Sequence, residues 1–377
     1  MLKKTLIAIT LLVVAAGLFL TFSKQPPALP EGSQSAALLK PGPHQVRRET
    51  MHLVDTSRKL DANGDFEGAD ERTFDVLIWS PTATPPTPQP LLVYSHGFMS
   101  SGHGGKYLGE YFASHGYTVA APTFPLSHFS APGGPNSADV VNQPEDVSYV
   151  IDTLLALSAD ANSKYAAYID PQRVGAAGLS LGGMTTKLVT YHPHTGDPRI
   201  TAAASIAGPA FMFSKRFFDH RSLPFMMIAT PQDAMISYQD NAADITDKIA
   251  GAVLVTIEGA SHAGFADTAK WLRWMNNPDS IGCDALMRNL DEVQEESWYH
   301  RIGSPEIGVV EGAAPAMCSM DPMPKTINPL RQHQLNTLAL AAFMQCHLAT
   351  NPAEAQRHCD YLHNKLSSEI GEITVRW

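Results

Sequence analysis

The stretch Val174-Gly175-Ala176-Ala177-Gly178-Leu179-Ser180-Leu181-Gly182-Gly183 constrains this chain more than any other. A small apolar run enters Gly-x-Ser-x-Gly, and the helix-forming sequence Met184-Thr185-Thr186-Lys187-Leu188-Val189 follows at once. That order predicts a strand, a sharp turn and a helix, with Ser180 at the apex. Glycines are needed two positions before and after the serine, because a Cβ there would collide with the turned backbone. A serine held in such strained backbone projects its Oγ beyond the strand end. A strand-to-helix turn with a capping serine would look similar, so the rest of the chain must decide between the two.

The flanking pattern repeats strand, loop and helix. Leu91-Leu92-Val93-Tyr94-Ser95 reads as a central strand buried on both faces. After it come a Gly/Ser/His loop from His96 to Gly105, a helix from Tyr107 to His115 and a strand from Tyr117 to Pro122. A helix starts near Pro144-Glu145-Asp146, with proline early and acids in its first turn. Further strands are predicted at 200–207, 225–229 and 252–257, and a final apolar helix at 332–348. This alternation predicts an α/β fold with a doubly wound, mostly parallel sheet. Two earlier strands, near 45–54 and 72–79, form an antiparallel hairpin ahead of it. Between them, Asp61-Ala62-Asn63-Gly64-Asp65 lacks the later ligands of a calcium loop and reads as a hairpin turn.

Ligands in such sheets sit beyond the carboxyl ends of the strands. Three loops there carry the order Ser180, Asp233, His262, with room in each gap for a crossover helix. Ser180 needs a base to take its proton, and His262 supplies one near neutral pH. Asp233 would hold the imidazole tautomer and stabilise the imidazolium; Asp240 and Asp244, on the next segment, are its competitors. The backbone N–H groups of Leu181 and Phe98 are the expected oxyanion donors, with Met99 the substitute for Phe98. His96 precedes Ser180 and is expected to shape the oxyanion turn rather than act as the base.

Together, Tyr94-Ser95-His96-Gly97-Phe98, the 114–122 segment, Arg173 to Gly183 and Gly259-Ala260-Ser261-His262 resemble the α/β-hydrolase superfamily. Within it they are similar to dienelactone-hydrolase-related and platelet-activating-factor acetylhydrolase-like serine esterases. The resemblance covers about 45–265 and the closing helix. It implies a carboxylesterase working through an acyl-enzyme, with no metal or organic cofactor. A lipase or phospholipid acyl hydrolase is the alternative, and a non-catalytic binding protein of the same fold is the alternative of another class.

Composition matters mainly for compartment and partners. A net charge of -10 over 377 residues argues against nucleic acid; the resemblance implies a small-molecule ester or a lipid as the partner. Residues 1–22 hold Lys3, Lys4 and an uncharged run over 5–22, which predicts a signal peptide or, preferably, an uncleaved membrane anchor. Residues 23–43 read as a linker, and 44–377 as a single domain. The body is expected outside the cytoplasm, periplasmic or extracellular. Four cysteines fit export, and pairing Cys283 with Cys318 and Cys346 with Cys359 closes the shortest loops. Residues 263–326 look irregular and follow His262 directly. Trp271, Trp274, Met275, Trp298 and Tyr299 could make them an apolar cap, facing Phe124, Phe129, Phe211 and Phe213 across an acyl pocket. A plain extension stapled by the disulfides is the other reading.

Overall fold

The computed structural model describes residues 2–22, 24–290, 299–312 and 314–377. Among them nine strands form one sheet in the order β1-β2-β4-β3-β5-β6-β7-β8-β9. They are β1 (Val46–Asp55), β2 (Arg72–Pro81), β3 (Gln89–Ser95), β4 (Thr118–Pro122), β5 (Ile169–Leu179), β6 (Ile200–Ile206), β7 (Phe225–Ala229), β8 (Val253–Ile257) and β9 (Ile373–Arg376). Strands β3 to β8 pair in parallel, β1–β2 and β2–β4 are antiparallel, and β9 closes the far edge antiparallel to β8. This is the α/β-hydrolase arrangement. The hairpin turn before β2 forms as expected, with Asn63 and Phe66 exchanging both backbone hydrogen bonds.

The helices are α1 (Leu2–Phe22), α2 (Gln34–Leu38), α3 (Lys106–Ser114), α4 (Gln143–Ala159), α5 (Leu181–Tyr191), α6 (Asp279–Leu290), α7 (Pro329–Leu348) and α8 (Pro352–Asn364), besides short turns. Alternate strand residues feed opposite faces of the sheet. Leu91, Val93, Val174, Ala176, Phe225 and Met227 join Val147, Val150 and Ile151 of α4 and Met184 and Leu188 of α5 in one core. Leu92, Tyr94, Ala177, Leu179, Met226 and Ile228 join Leu108 and Phe112 of α3 and Leu335 to Phe343 of α7 in the other. Both faces are therefore dry, which is why the strands read as continuous apolar runs. Small residues set the spacing: a Cβ on Gly175 would lie 2.8 Å from Leu348 Cδ1 at the end of α7.

Three segments depart from the sequence expectation. Residues 263–326 are not irregular throughout, because α6 lies within them. The expected linker 23–43 docks over its second half. Ser35 is buried and bonded to the Tyr361 hydroxyl (2.7 Å) and the Glu369 carboxylate (2.7 Å), and the Leu38 carbonyl accepts from the Tyr111 hydroxyl (2.6 Å). The anchor expected at 5–22 forms α1, yet among the described residues no helix is long and apolar enough to cross a membrane. Both expected disulfides are present: Cys283–Cys318 ties α6 to the 318 segment, and Cys346–Cys359 ties α7 to α8.

Candidate active site

The turn after β5 holds Ser180 at φ 56°, ψ -121°, a conformation that non-glycine residues rarely adopt. Its N–H donates to the Ile206 carbonyl on β6 at 2.8 Å, which pins the strained residue to the neighbouring strand end. The flanking glycines are required by close approach. A Cβ on Gly178 would sit 2.1 Å from the Gly182 carbonyl oxygen, and one on Gly182 would sit 2.1 Å from that of Ser95. The loop after β3 comes up beside the serine: a Cβ on Gly97 would lie 3.2 Å from Ser180 Cβ.

Asp233 and His262 extend from the ends of β7 and β8, and both are buried. His262 Nδ1–H donates to Asp233 Oδ2 at 2.7 Å. Asp233 Oδ1 accepts the backbone N–H groups of Met235 (2.8 Å) and Ile236 (2.7 Å), so the carboxylate is fixed at both oxygens. Burial works against a charged His262. The Asp233 charge and hydrogen bond, with the Asp279 charge behind them, outweigh it, and the imidazole stands above its ordinary pKa. The competing acids point elsewhere. Asp240 takes the Ser237 hydroxyl, and Asp244 pairs with Lys248 at 3.0 Å.

Ser180, Leu181, Gly97, Phe98 and His262 line one cavity of about 930 Å³. Among the described residues no hydrogen bond joins Ser180 Oγ to His262, a bond that in such sites tightens with substrate. The N–H groups of Phe98 and Leu181 also have no acceptor among the described residues. Leu181 opens α5, where the helix dipole favours negative charge. The Met99 N–H is committed to the Ser127 carbonyl at 2.8 Å, which leaves Phe98 as the open donor in that loop. His96 braces the loop: Nδ1–H donates to the Gly97 carbonyl (2.7 Å), and Nε2 accepts the Phe124 N–H (3.0 Å). Burial pushes the His96 imidazole down to about 4, so it is neutral at working pH.

The cavity wall is apolar and rich in methionine: Met99, Met184, Met212, Met235 and Met317 all line it, with Phe98, Phe129 and Phe211. The other two expected wall residues do not. Phe124 packs on the His96 ring at 5.0 Å between centroids, and Phe213 stacks on Phe217 at 4.2 Å in the core. From 263–326, the cavity takes Leu272, Ile281, Ala285 and Leu286 rather than the tryptophans. Trp271 and Trp274 are exposed, and Met275 is half-buried away from the cavity. Trp298 and the side chain of Tyr299 lie outside the described residues.

The PET hydrolase-like family model matches residues 73–276, more than half of the chain and the whole stretch from Phe98 to His262. The chain belongs to the PET hydrolase-like family. The family match places the enzyme among the carboxylic ester hydrolases. Among solved structures, it is similar in fold to a ferulic acid esterase from Streptomyces cinnamoneus. That likeness has a TM-score of 0.57 at 19% identity, covering 88% of this chain and 96% of the other. No curated protein matches the sequence. The PET hydrolase-like match ends before Asp279, a residue the sequence reading passed over. Its signal was Asn277-Pro278-Asp279, a helix start with proline early and an acid in the first turn.

Proposed function

We propose that this PET hydrolase-like protein is an exported serine carboxylesterase, with Ser180 as nucleophile, His262 as general base and acid, and Asp233 as the orienting acid. The observation that carries the reading is the 2.7 Å His262–Asp233 pair opening on the cavity that Ser180 also lines. His262 Nε2 takes the Ser180 Oγ proton as Oγ attacks the ester carbonyl. The N–H groups of Phe98 and Leu181 receive the negative oxygen of the tetrahedral intermediate. As that intermediate collapses, His262 returns the proton to the departing alkoxide, and an acyl-Ser180 ester remains. Water then attacks the acyl carbon, its proton passing to His262 and on to Ser180 Oγ, and the carboxylic acid leaves.

A cavity of about 930 Å³ walled by methionines and aromatics suits a bulky apolar acyl group and adapts to its shape. In this reading α6 caps one side of the acyl pocket. A second reading, a lipid acyl hydrolase, is favoured by the rim: Phe129 is 70% exposed and Ile281 46%, and both also line the cavity. Export rests on the two disulfides and the uncharged N-terminal run.

The test is a p-nitrophenyl ester series on wild type and Ser180→Ala, extended to a ferulic acid ester, PET film and phospholipid vesicles. The proposal expects hydrolysis of soluble esters, lost by several powers of ten in Ser180→Ala while the fold is retained. Activity confined to vesicles would favour the lipid reading. Undiminished activity in Ser180→Ala would refute both.

A further inference from the structure

We propose that Asp279 is a positioning residue for the acid–base pair, holding the loop after Asp233 and the loop bearing His262 in a fixed relation. This rests on the roles given above to Ser180, Asp233 and His262. Asp279 opens α6 and is fully buried. Its carboxylate does not cap its own helix. Oδ2 accepts the Ala234 N–H (3.1 Å) and the His262 N–H (3.0 Å), and Oδ1 accepts the Ala263 N–H (2.7 Å). One side chain thus grips the residue after the acid, the base itself and the residue after the base.

The grip is braced on both sides. The Asp279 N–H donates to Asn277 Oδ1 (2.9 Å), and Asn277 Nδ2 donates to the Pro324 carbonyl (2.9 Å). The Ala234 carbonyl accepts the Cys318 N–H at 2.6 Å, and Cys318 is bonded to Cys283, one turn along α6 from Asp279. Both backbone polar groups of Ala234 are therefore held by one unit built from α6 and its disulfide. Other links join the two loops nearer the strand ends, from the Thr230 hydroxyl to the Ala260 carbonyl and from the Gly259 N–H to Gln232 Oε1. Among the described residues, Asp279 is the one side chain that accepts backbone N–H groups from both tips, where Asp233 and His262 sit. No cation pairs with it among the described residues, and burial, then the Asp233 charge, raise its pKa. A carboxylate kept there against that cost is explained by the three N–H groups it aligns.

The test is Asp279→Asn, which keeps the volume but has one carbonyl oxygen and sets an NH2 group against a backbone N–H. We expect kcat to fall about 10- to 100-fold, since small misplacements of reacting groups cost about that much. KM should stay within about threefold, because the residue touches no substrate. The acid limb of kcat/KM should move to lower pH, as Asp233 and Asp279 are the charged groups that act on His262. A lowered melting temperature with wild-type kcat and an unmoved limb would overturn the proposal. If Asp279→Asn does not fold, Asn277→Ala, which frees the Asp279 backbone but keeps the carboxylate, is read by kcat alone; wild-type kcat there also overturns it. Fluorophosphonate labelling separates this from the catalytic reading. If Ser180→Ala still labels, the triad falls and the Asp279 role with it. If Ser180→Ala is silent and Asp279→Asn labels at the wild-type rate, only the Asp279 role falls.

Discussion

Acidification should weaken the loop after β3 through His96, and the size of the effect follows from two contacts and the lowered pKa of the ring. The ring is buried and neutral, with Nδ1–H on the Gly97 carbonyl and Nε2 accepting the Phe124 N–H. A proton on Nε2 would face that N–H, donor against donor. Burial holds the folded-state pKa at about 4, against about 6.5 in the unfolded chain. Because the folded value is depressed, the stabilisation is present above pH 6.5 and is lost as pH falls toward 4. The gap sets a ceiling of about 3 kcal/mol, of which about 2 kcal/mol is lost between pH 7 and pH 5. His96→Ala leaves the Phe124 N–H and the Gly97 carbonyl unpaired, costing about 1–3 kcal/mol for each at pH 7. The variant cannot titrate at this position, so its deficit against wild type should shrink by about 2 kcal/mol at pH 5. Urea unfolding of both proteins at the two pH values, with disulfides intact, measures this directly. A deficit that stays constant from pH 7 to pH 5 would refute the claim that His96 is held neutral by its surroundings.

Three further outcomes follow from the site. The acid limb of kcat/KM should lie above pH 6.5, because His262 must be neutral to take the serine proton and its pKa is raised; a limb below pH 6 would contradict this. Asp233→Asn should move that limb down and cost about 10³- to 10⁴-fold in kcat. Leu286→Trp, filling the cavity from α6, should lower kcat/KM at least about tenfold for octanoyl and longer esters while acetate changes little. An unchanged chain-length profile would remove α6 from the acyl wall.

The parts of the fold that were legible in the sequence are those whose pattern is local. The β3 strand and the second half of β5 are short apolar runs because both sheet faces are covered there, and the turn at Ser180 is written in glycines whose missing Cβ atoms the packing demands. Asp233 and His262 were legible as candidates because each follows a strand whose end is readable, and the structure pairs them at 2.7 Å. What was missed depends on distant partners. The strand β9 is four residues long and exists because β8 offers it an edge. Residues 34–38 look like linker, yet dock through Ser35 on Tyr361 and Glu369, more than 300 positions away. Trp271 and Trp274 read as wall material by residue type. The wall is instead set by which side of α6 faces the cavity, and there Ile281 and Leu286 do the work. Asp279 shows in the sequence only as part of a helix start, because the three backbone N–H groups it accepts lie on two other loops, and no periodicity records them.

The nucleophile is tested most directly by where a mechanism-based label lands. Treating the purified protein with a fluorophosphonate and mapping the adduct by peptide mass spectrometry should give one modification, on the peptide that carries Ser180. It should form more slowly in the presence of a hydrolysable ester and be absent from folded Ser180→Ala. An adduct on another serine, or one that persists in Ser180→Ala, would contradict the assignment of Ser180 and the acyl-enzyme route built on it.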